Sequence, residues 1–351
     1  MLNVLDYGAT GDGVTDDTAA IQGVLDIAQG GGTIYIPVGS YSLTGTLFMK
    51  AGVSILAAGA YIFGAGNHRL LANFRPGDNF PQYSGNGDIS IIGGIYDVKG
   101  QTVPMGSAGP NVMSFTHASN IRLENVTLRN TSWAHACEFN AINHGTWIGC
   151  RAEGFTDTNT DPGVDRQKAE ALQVDCAALG STSCEPFDNT PCKNITVERC
   201  YAGPSAEMGS WGTLTGSHTG KGLGVTYDAI KVLDCTAEDT LKYAVHAECW
   251  RDPIIRGNSI TGTGGTSIFL DSCVGGIVAA NSVRDAGSNG INVSRGNGTI
   301  VTGNSINNPA NHAIYLDQAS YGVVTSNYAY SGDIYKTASC VGVVVADNVV
   351  R

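Results

Sequence analysis

Apolar and polar positions alternate in short bursts along most of the chain, and toward the C-terminus the bursts recur at a fixed interval. Ile255-Arg256-Gly257-Asn258-Ser259-Ile260 is echoed by Val278-Ala279-Ala280-Asn281-Ser282-Val283 and by Val301-Thr302-Gly303-Asn304-Ser305-Ile306. Asn258, Asn281, Asn304 and Asn327 stand 23 residues apart, and Asn348 follows after 21. An apolar residue (Val245, Ile268, Ile291, Ile314) stands 13 positions before each of the first four and opens a short alternating strand such as Ile268-Phe269-Leu270-Asp271. Alternation puts one strand face inward and the other outward. A period near 23 with Gly/Asn turns predicts an all-β parallel β-helix, a solenoid whose turn asparagines stack into an amide ladder. A leucine-rich repeat lacks its Leu/Asn consensus here, and a propeller blade needs about 40 residues.

The first 32 residues break the period. Ala20, Ile21, Val24, Leu25 and Ala28 share one helical face behind Asp16-Asp17-Thr18, and Gly30-Gly31-Gly32 stops the helix. This predicts an amphipathic helix over the open end of a solenoid, within an N-terminal cap spanning 1–32. The rungs occupy 33–351, beginning with Thr33-Ile34-Tyr35-Ile36-Pro37, and the whole chain forms one domain.

Composition narrows the function classes. The chain has 351 residues with 42% hydrophobic and 15% charged, which is globular rather than disordered. A net charge of −11 argues against nucleic acid and anionic membranes as partners. No apolar run is long enough to span a bilayer, and the first residues show no signal peptide. Ten cysteines contain no CxxC pair. The spacing of eight in Cys176, Cys184, Cys192 and Cys200 fits local loop disulfides, and buried free thiols fit equally.

The stretch from Asp6-Tyr7-Gly8-Ala9-Thr10-Gly11-Asp12-Gly13 through Asp16-Asp17-Thr18-Ala19-Ala20-Ile21-Gln22 to Gly31-Gly32-Thr33-Ile34-Tyr35-Ile36-Pro37 resembles the N-terminal signature of the pectate-lyase-like superfamily. That group includes polygalacturonase-related glycoside hydrolases, alginate epimerase modules and phage tailspike depolymerases. The resemblance implies a single-stranded right-handed parallel β-helix and a secreted, extracellular or phage-tail location. It implies a polysaccharide or oligosaccharide partner and allows a homotrimer, but fold alone does not fix the reaction.

Aligning strand starts at Cys137, Leu172, Val245, Ile268, Ile291 and Ile314 yields two outward columns. One reads Glu138, Gln173, His246, Phe269, Asn292, Tyr315 and the other Asn140, Asp175, Glu248, Asp271, Ser294, Asp317. The long loops 157–168, 177–193 and 218–227 cluster beside these columns and predict the walls of a groove. Trp133, Trp211, Trp250 and Tyr243 are candidate stacking surfaces for sugar rings.

The rung order also resembles that of polygalacturonases. Asn159-Thr160-Asp161 is similar to their Asn-Thr-Asp motif, and Ala169-Glu170 stands where they have an Asp pair. Trp211 stands where they have a histidine, His218 follows that strand, and His246 and Glu248 replace their Arg and Lys. Those cations bind a uronate carboxylate, so their loss points to a neutral or amino sugar. The expectation is a glycoside hydrolase with Glu170 as general acid and Asp175 or Asp161 as partner carboxylate. Glu138, Trp211, His218, His246, Glu248, Trp250 and Asp271 are then substrate-binding residues. No cofactor or metal is needed for hydrolysis. A uronate lyase or epimerase is the alternative, with Ca²⁺ on Asp161, Asp175 and Glu248, although no Arg or Lys base shares those rungs and the epimerase Asp-Pro-His-Glu signature is absent. Arg166, Lys168 and Lys221 are the nearest cations in the loops. A third alternative is a non-catalytic glycan-binding or tail β-helix.

Overall fold

The computed structural model describes residues 1–161 and 169–351. Short strands coil into a parallel β-helix, and every pairing between named strands is parallel. Among the described residues they form a 24-stranded sheet, which wraps two faces, and a 13-stranded sheet. Inward positions of each rung fill one continuous apolar core that runs from Val4 to Val343. The alternation read in the sequence is visible in Ile268–Asp271, whose Ile268 and Leu270 are buried while Phe269 is half-buried.

The helix spans Thr18–Ile27 and buries Ile21, Val24 and Leu25. Asp17 stands at its N-cap, yet its carboxylate turns back to accept from the Thr10 and Gly11 backbone N–H groups at 2.6 and 3.3 Å. The cap segment also contributes strands: Leu2–Asn3 pairs with Ile34 and Tyr35, and Asp12–Asp16 pairs along Ser40–Ser42. Residues 1–32 therefore form part of the first rung as well as its cover.

The strand starts follow the expected alignment with one addition. Cys137 pairs with Leu172 and Val245 with Ile268, Ile291 and Ile314 in succession. Between Leu172 and Val245 lies the strand Thr213–Gly216, with Thr215 in register with both. Gly216 stands between Gln173 and His246 in the first outward column. A Cβ there would lie 2.6 Å from the His246 carbonyl oxygen, so only glycine admits the close approach of the next rung.

The amide ladder is present. Asn258, Asn281, Asn304 and Asn327 each donate Nδ2 to the Oδ1 of the next asparagine at 2.8–2.9 Å, ending on Asn348. On the preceding rungs, cysteines take the same place. Cys235 accepts from the Cys200 N–H at 3.4 Å and donates Sγ to the Val197 carbonyl at 3.5 Å, as Asn258 donates to Val232. Cys200 and Cys150 repeat the donation toward Trp147 and Leu123. All ten cysteines are free thiols, nine of them buried, so the loop-disulfide alternative is overturned.

Two of the long loops are packed down over the outward face. Residues 177–193 dock on the segment 72–83 through a satellite apolar cluster of Ala72, Phe74 and Cys184, flanked by Phe48 and Phe80. The Phe80 N–H donates to the Glu185 carbonyl at 2.7 Å and the Tyr83 hydroxyl to the Pro191 carbonyl at 2.8 Å. The insertion 218–227 carries a short helix, Gly220–Leu223. The loop 157–168 lies partly outside the described residues, with Arg166 and Lys168.

Candidate functional site

Beneath these loops lies a cavity of about 690 Å³, lined by Arg69, Asn111, Trp133, His135, Glu138, Gln173, Thr182, His218 and Thr219 among others. Its size suits a few sugar rings. Three successive rungs supply its polar floor: the strand Cys137–Ile148 brings Glu138, Glu170–Asp175 brings Gln173, and the turn after Thr213–Gly216 brings His218.

Glu170 is fully buried, and its Oε2 lies 3.1 Å from His218 Nδ1. Burial opposes its ionisation, but the charge and hydrogen bond of His218, aided by His135 and His246, hold the carboxyl down at about 2. The converse acts on His218: burial opposes its charge, while Glu170 and then Asp175 push it up to about 10. Its side chain is still 41% exposed and lines the cavity, so solvent screens part of this pairing, while Nε2 lies 3.4 Å from Gln173 Nε2 and 4.0 Å from Asp175 Oδ2. The result is an imidazolium presented to the cavity and backed by a sealed carboxylate. Glu170, expected as the proton donor, touches no solvent, does not line the cavity and turns its carboxylate toward His218 rather than toward open space.

His135 completes the group, with Nδ1 2.7 Å from the Glu170 carbonyl oxygen and its ring stacked 6.0 Å from that of His218. Glu138 is the carboxylate that lines the cavity among the described residues, and it is 3% exposed. Its Oε1 accepts from Asn140 Nδ2 at 2.8 Å and its Oε2 accepts from Asn111 Nδ2. His135, Asn111 and Arg69 escaped the sequence reading because they come from irregular connections outside the 23-residue register.

Asp175 is built into the wall. Oδ1 accepts from the Cys176 N–H at 2.9 Å and from the Tyr227 hydroxyl, and Oδ2 accepts from Gln173 at 3.1 Å and Thr219 at 2.6 Å. It does not line the cavity. Asp161 is exposed, its N–H donating to Asn159 Oδ1 at 3.0 Å in a tight local turn, and it too lies off the cavity.

The acidic column is not an open anionic strip. Lys221 donates its N–H to Glu248 at 3.1 Å and its Nζ to Asp271 at 2.9 Å, and Arg295 Nε reaches Asp271 at 3.0 Å. Burial raises the Glu248 carboxyl above its usual range, whereas at Asp271 the two cations outweigh burial and lower it. Trp211 and Trp250 are fully buried, the first stacked on Phe155 and the second donating Nε1 to Ser217 at 2.7 Å. Neither can stack on a sugar; of the four aromatics considered, Trp133 lines the cavity. His246 is buried between Tyr243 and Phe269 at 4.9 and 5.4 Å and does not line the cavity. Among the described residues no group of three or more His, Cys, Asp or Glu is arranged to hold a metal ion. Asp161, Asp175 and Glu248 thus do not converge as a Ca²⁺ set.

The profile of the rhamnogalacturonase A/epimerase, pectate lyase-like family matches residues 1–237, and that of the right-handed β-helix region matches residues 221–351. Plasmin and fibronectin-binding protein A of Streptococcus pneumoniae is 24% identical over 283 residues, covering 73% of this chain and 38% of that protein. The mannuronan C5-epimerase AlgE5 of Azotobacter vinelandii is 50% identical over 66 residues, which is 18% of this chain and 7% of the epimerase. The chain thus spans well under half the length of these relatives. The crystal structure of the Streptococcus pneumoniae surface adhesin PfbA superposes with a TM-score of 0.84 at 21% identity, over 99% of this chain and 91% of that one. These likenesses share the right-handed parallel β-helix.

Proposed function

We infer the function from the premise that the chain belongs to the rhamnogalacturonase A/epimerase, pectate lyase-like family, and propose that it is a carbohydrate-active enzyme cleaving an extracellular or cell-surface polysaccharide. The observation that carries this reading is the cavity in which the His218 imidazolium, fixed by Glu170, and the Glu138 carboxylate line one polar floor. His218 is the acid that protonates the departing glycosidic oxygen. Glu138 is the base, oriented by Asn111 and Asn140. In hydrolysis Glu138 takes its proton from the attacking water, so this reading uses one carboxylate and one imidazolium where the sequence led to an expectation of two carboxyls.

Elimination at a uronate is the second reading, and one observation favours it: Arg69 lines the same cavity, where it is placed to neutralise a sugar carboxylate. Glu138 would then take the proton beside that carboxylate while His218 again protonates the leaving oxygen.

Incubation with a panel of neutral, amino and uronate polysaccharides tests the proposal. New reducing ends without an unsaturated, ultraviolet-absorbing product support hydrolysis, and the unsaturated product supports elimination. His218→Gln and Glu138→Gln should each lower turnover by about 10²-fold or more while the fold persists. Binding without turnover across the panel overturns the enzymatic reading in favour of a glycan-binding module. Turnover unchanged in both variants overturns the site.

A further inference from the structure

Three imidazoles line the cavity, His68, His135 and His218, and the cleavage reading uses only the last. His135 stands just ahead of the strand Cys137–Ile148, with its backbone N–H donating to Asn111 Oδ1 at 2.9 Å. The same Asn111 donates Nδ2 to the Glu138 carboxylate, so one amide fixes the two residues relative to each other. The His135 side chain is 10% exposed, and its Nδ1 lies 2.7 Å from the Glu170 carbonyl oxygen. A carbonyl oxygen only accepts, so Nδ1 carries a hydrogen, and the neutral ring is held in the tautomer whose Nε2 is a bare lone pair. Nε2 of His68 is sealed from solvent, whereas Nε2 of His135 is not and has no hydrogen-bond partner among the described residues. In a side chain this buried, the solvent it meets is the cavity's.

An acceptor fixed in place without a donor is a group that a ligand can satisfy, and one that penalises a ligand unable to do so. Glu170 answers His218 and Glu138 acts on Arg69, so these groups leave no spare negative charge to hold an ammonium. A neutral O–H is the donor that fits. We propose that His135 is a specificity-determining residue, whose Nε2 accepts a hydrogen bond from a free hydroxyl of the sugar seated between Glu138 and His218. A hydroxyl capped by an acetyl or methyl group has no hydrogen to give and leaves the lone pair desolvated and unpaired. The cavity therefore selects sugars unsubstituted at that carbon. This rests on the glycan-cleaving reading of the site and adds the substrate feature it reads.

Two measurements on the full chain test it. Nitrogen-15 NMR of the imidazoles without ligand, at about pH 8 where histidine is ordinarily neutral, should show His135 protonated at Nδ1 and bare at Nε2, assigned by the signals lost in His135→Asn. Neutral and uronate oligosaccharides, each in native and partly O-acetylated form, are then titrated by calorimetry and by the same nitrogen signals. At least one native form should bind about tenfold or more tightly than its acetylated counterpart and shift the His135 Nε2 signal. His135→Asn, whose amide can still donate to the Glu170 carbonyl, should lose that preference with its melting temperature unchanged. His135→Gln, which returns an acceptor near Nε2, should keep part of it. An Nε2–H tautomer, an Nε2 signal unmoved by an oligosaccharide that binds, or a preference surviving in His135→Asn overturns this inference alone. Failure of every glycan to bind would sink the glycan-cleaving reading with it.

Discussion

His218 and Glu170 share one interaction that is sensitive at both ends of the pH scale. Glu170 is held below its ordinary value of 4.5, so its contribution is complete above that value and is lost as pH falls toward about 2. His218 is held above its ordinary 6.5, so its contribution is complete below that value and is lost as pH rises through about 10. Denaturant midpoints recorded against pH should therefore show this pair fully stabilising between about 4.5 and 6.5, with losses on both sides that His218→Gln removes. If turnover depends on the imidazolium, its alkaline limb should lie near 10 rather than 6.5, and Glu170→Gln should move that limb down toward neutrality; a purely structural Glu170 would leave it in place. Asp175→Asn should act on stability instead. It sets an amide N–H₂ against donors from Gln173, Thr219 and Tyr227 and should cost about 1–3 kcal/mol by chemical denaturation.

Elements show which local signals sequence carries. The asparagine ladder was legible because its rungs have equal length, so a shared column becomes a shared interval. Removing one member tests its weight: Asn281→Ala deletes bonds to Ile255 and Asn304 and leaves the Asn258 N–H unpaired. It should cost about 2–3 kcal/mol in a denaturant titration. The cysteine part of the same column was hidden, because the loops between Cys150, Cys200 and Cys235 change the interval and the spacing of eight suggested loop cross-links instead. The central acidic positions were correctly read as one outward column, but their state was not legible. Whether Asp271 meets water or Lys221 depends on an insertion folding back over the sheet, and alternation says nothing of that. Trp211 and Trp250 failed for a related reason: an aromatic beside an outward position still turns inward when its rung has space to fill.

For the whole molecule, the solenoid makes stability a matter of neighbours, since each rung contacts chiefly those above and below. Hydrogen exchange should be slowest in the central rungs around Glu170–Asp175, where every residue is buried, and fastest at Val344–Ala346 and Val349–Val350, where none is. Uniform protection along the chain would contradict this. At this scale the repeat and the N-terminal signature were enough to read the architecture. The site required three-dimensional knowledge, because Arg69, Asn111 and His135 reach it from connections that keep no period. The rungs carrying Glu138, Glu170 and His218 are followed by Cys150, Cys200 and Cys235, whereas the rungs beyond them turn on asparagine. A thiol is a weaker donor and acceptor than an amide, so behind the cavity the column's own hydrogen bonds are the weaker ones, and burial carries the protection of those rungs. That gives an engineer a handle for separating rigidity from turnover: Cys235→Asn would extend the amide column one rung under the cavity, stiffening the frame without touching a single group that lines it.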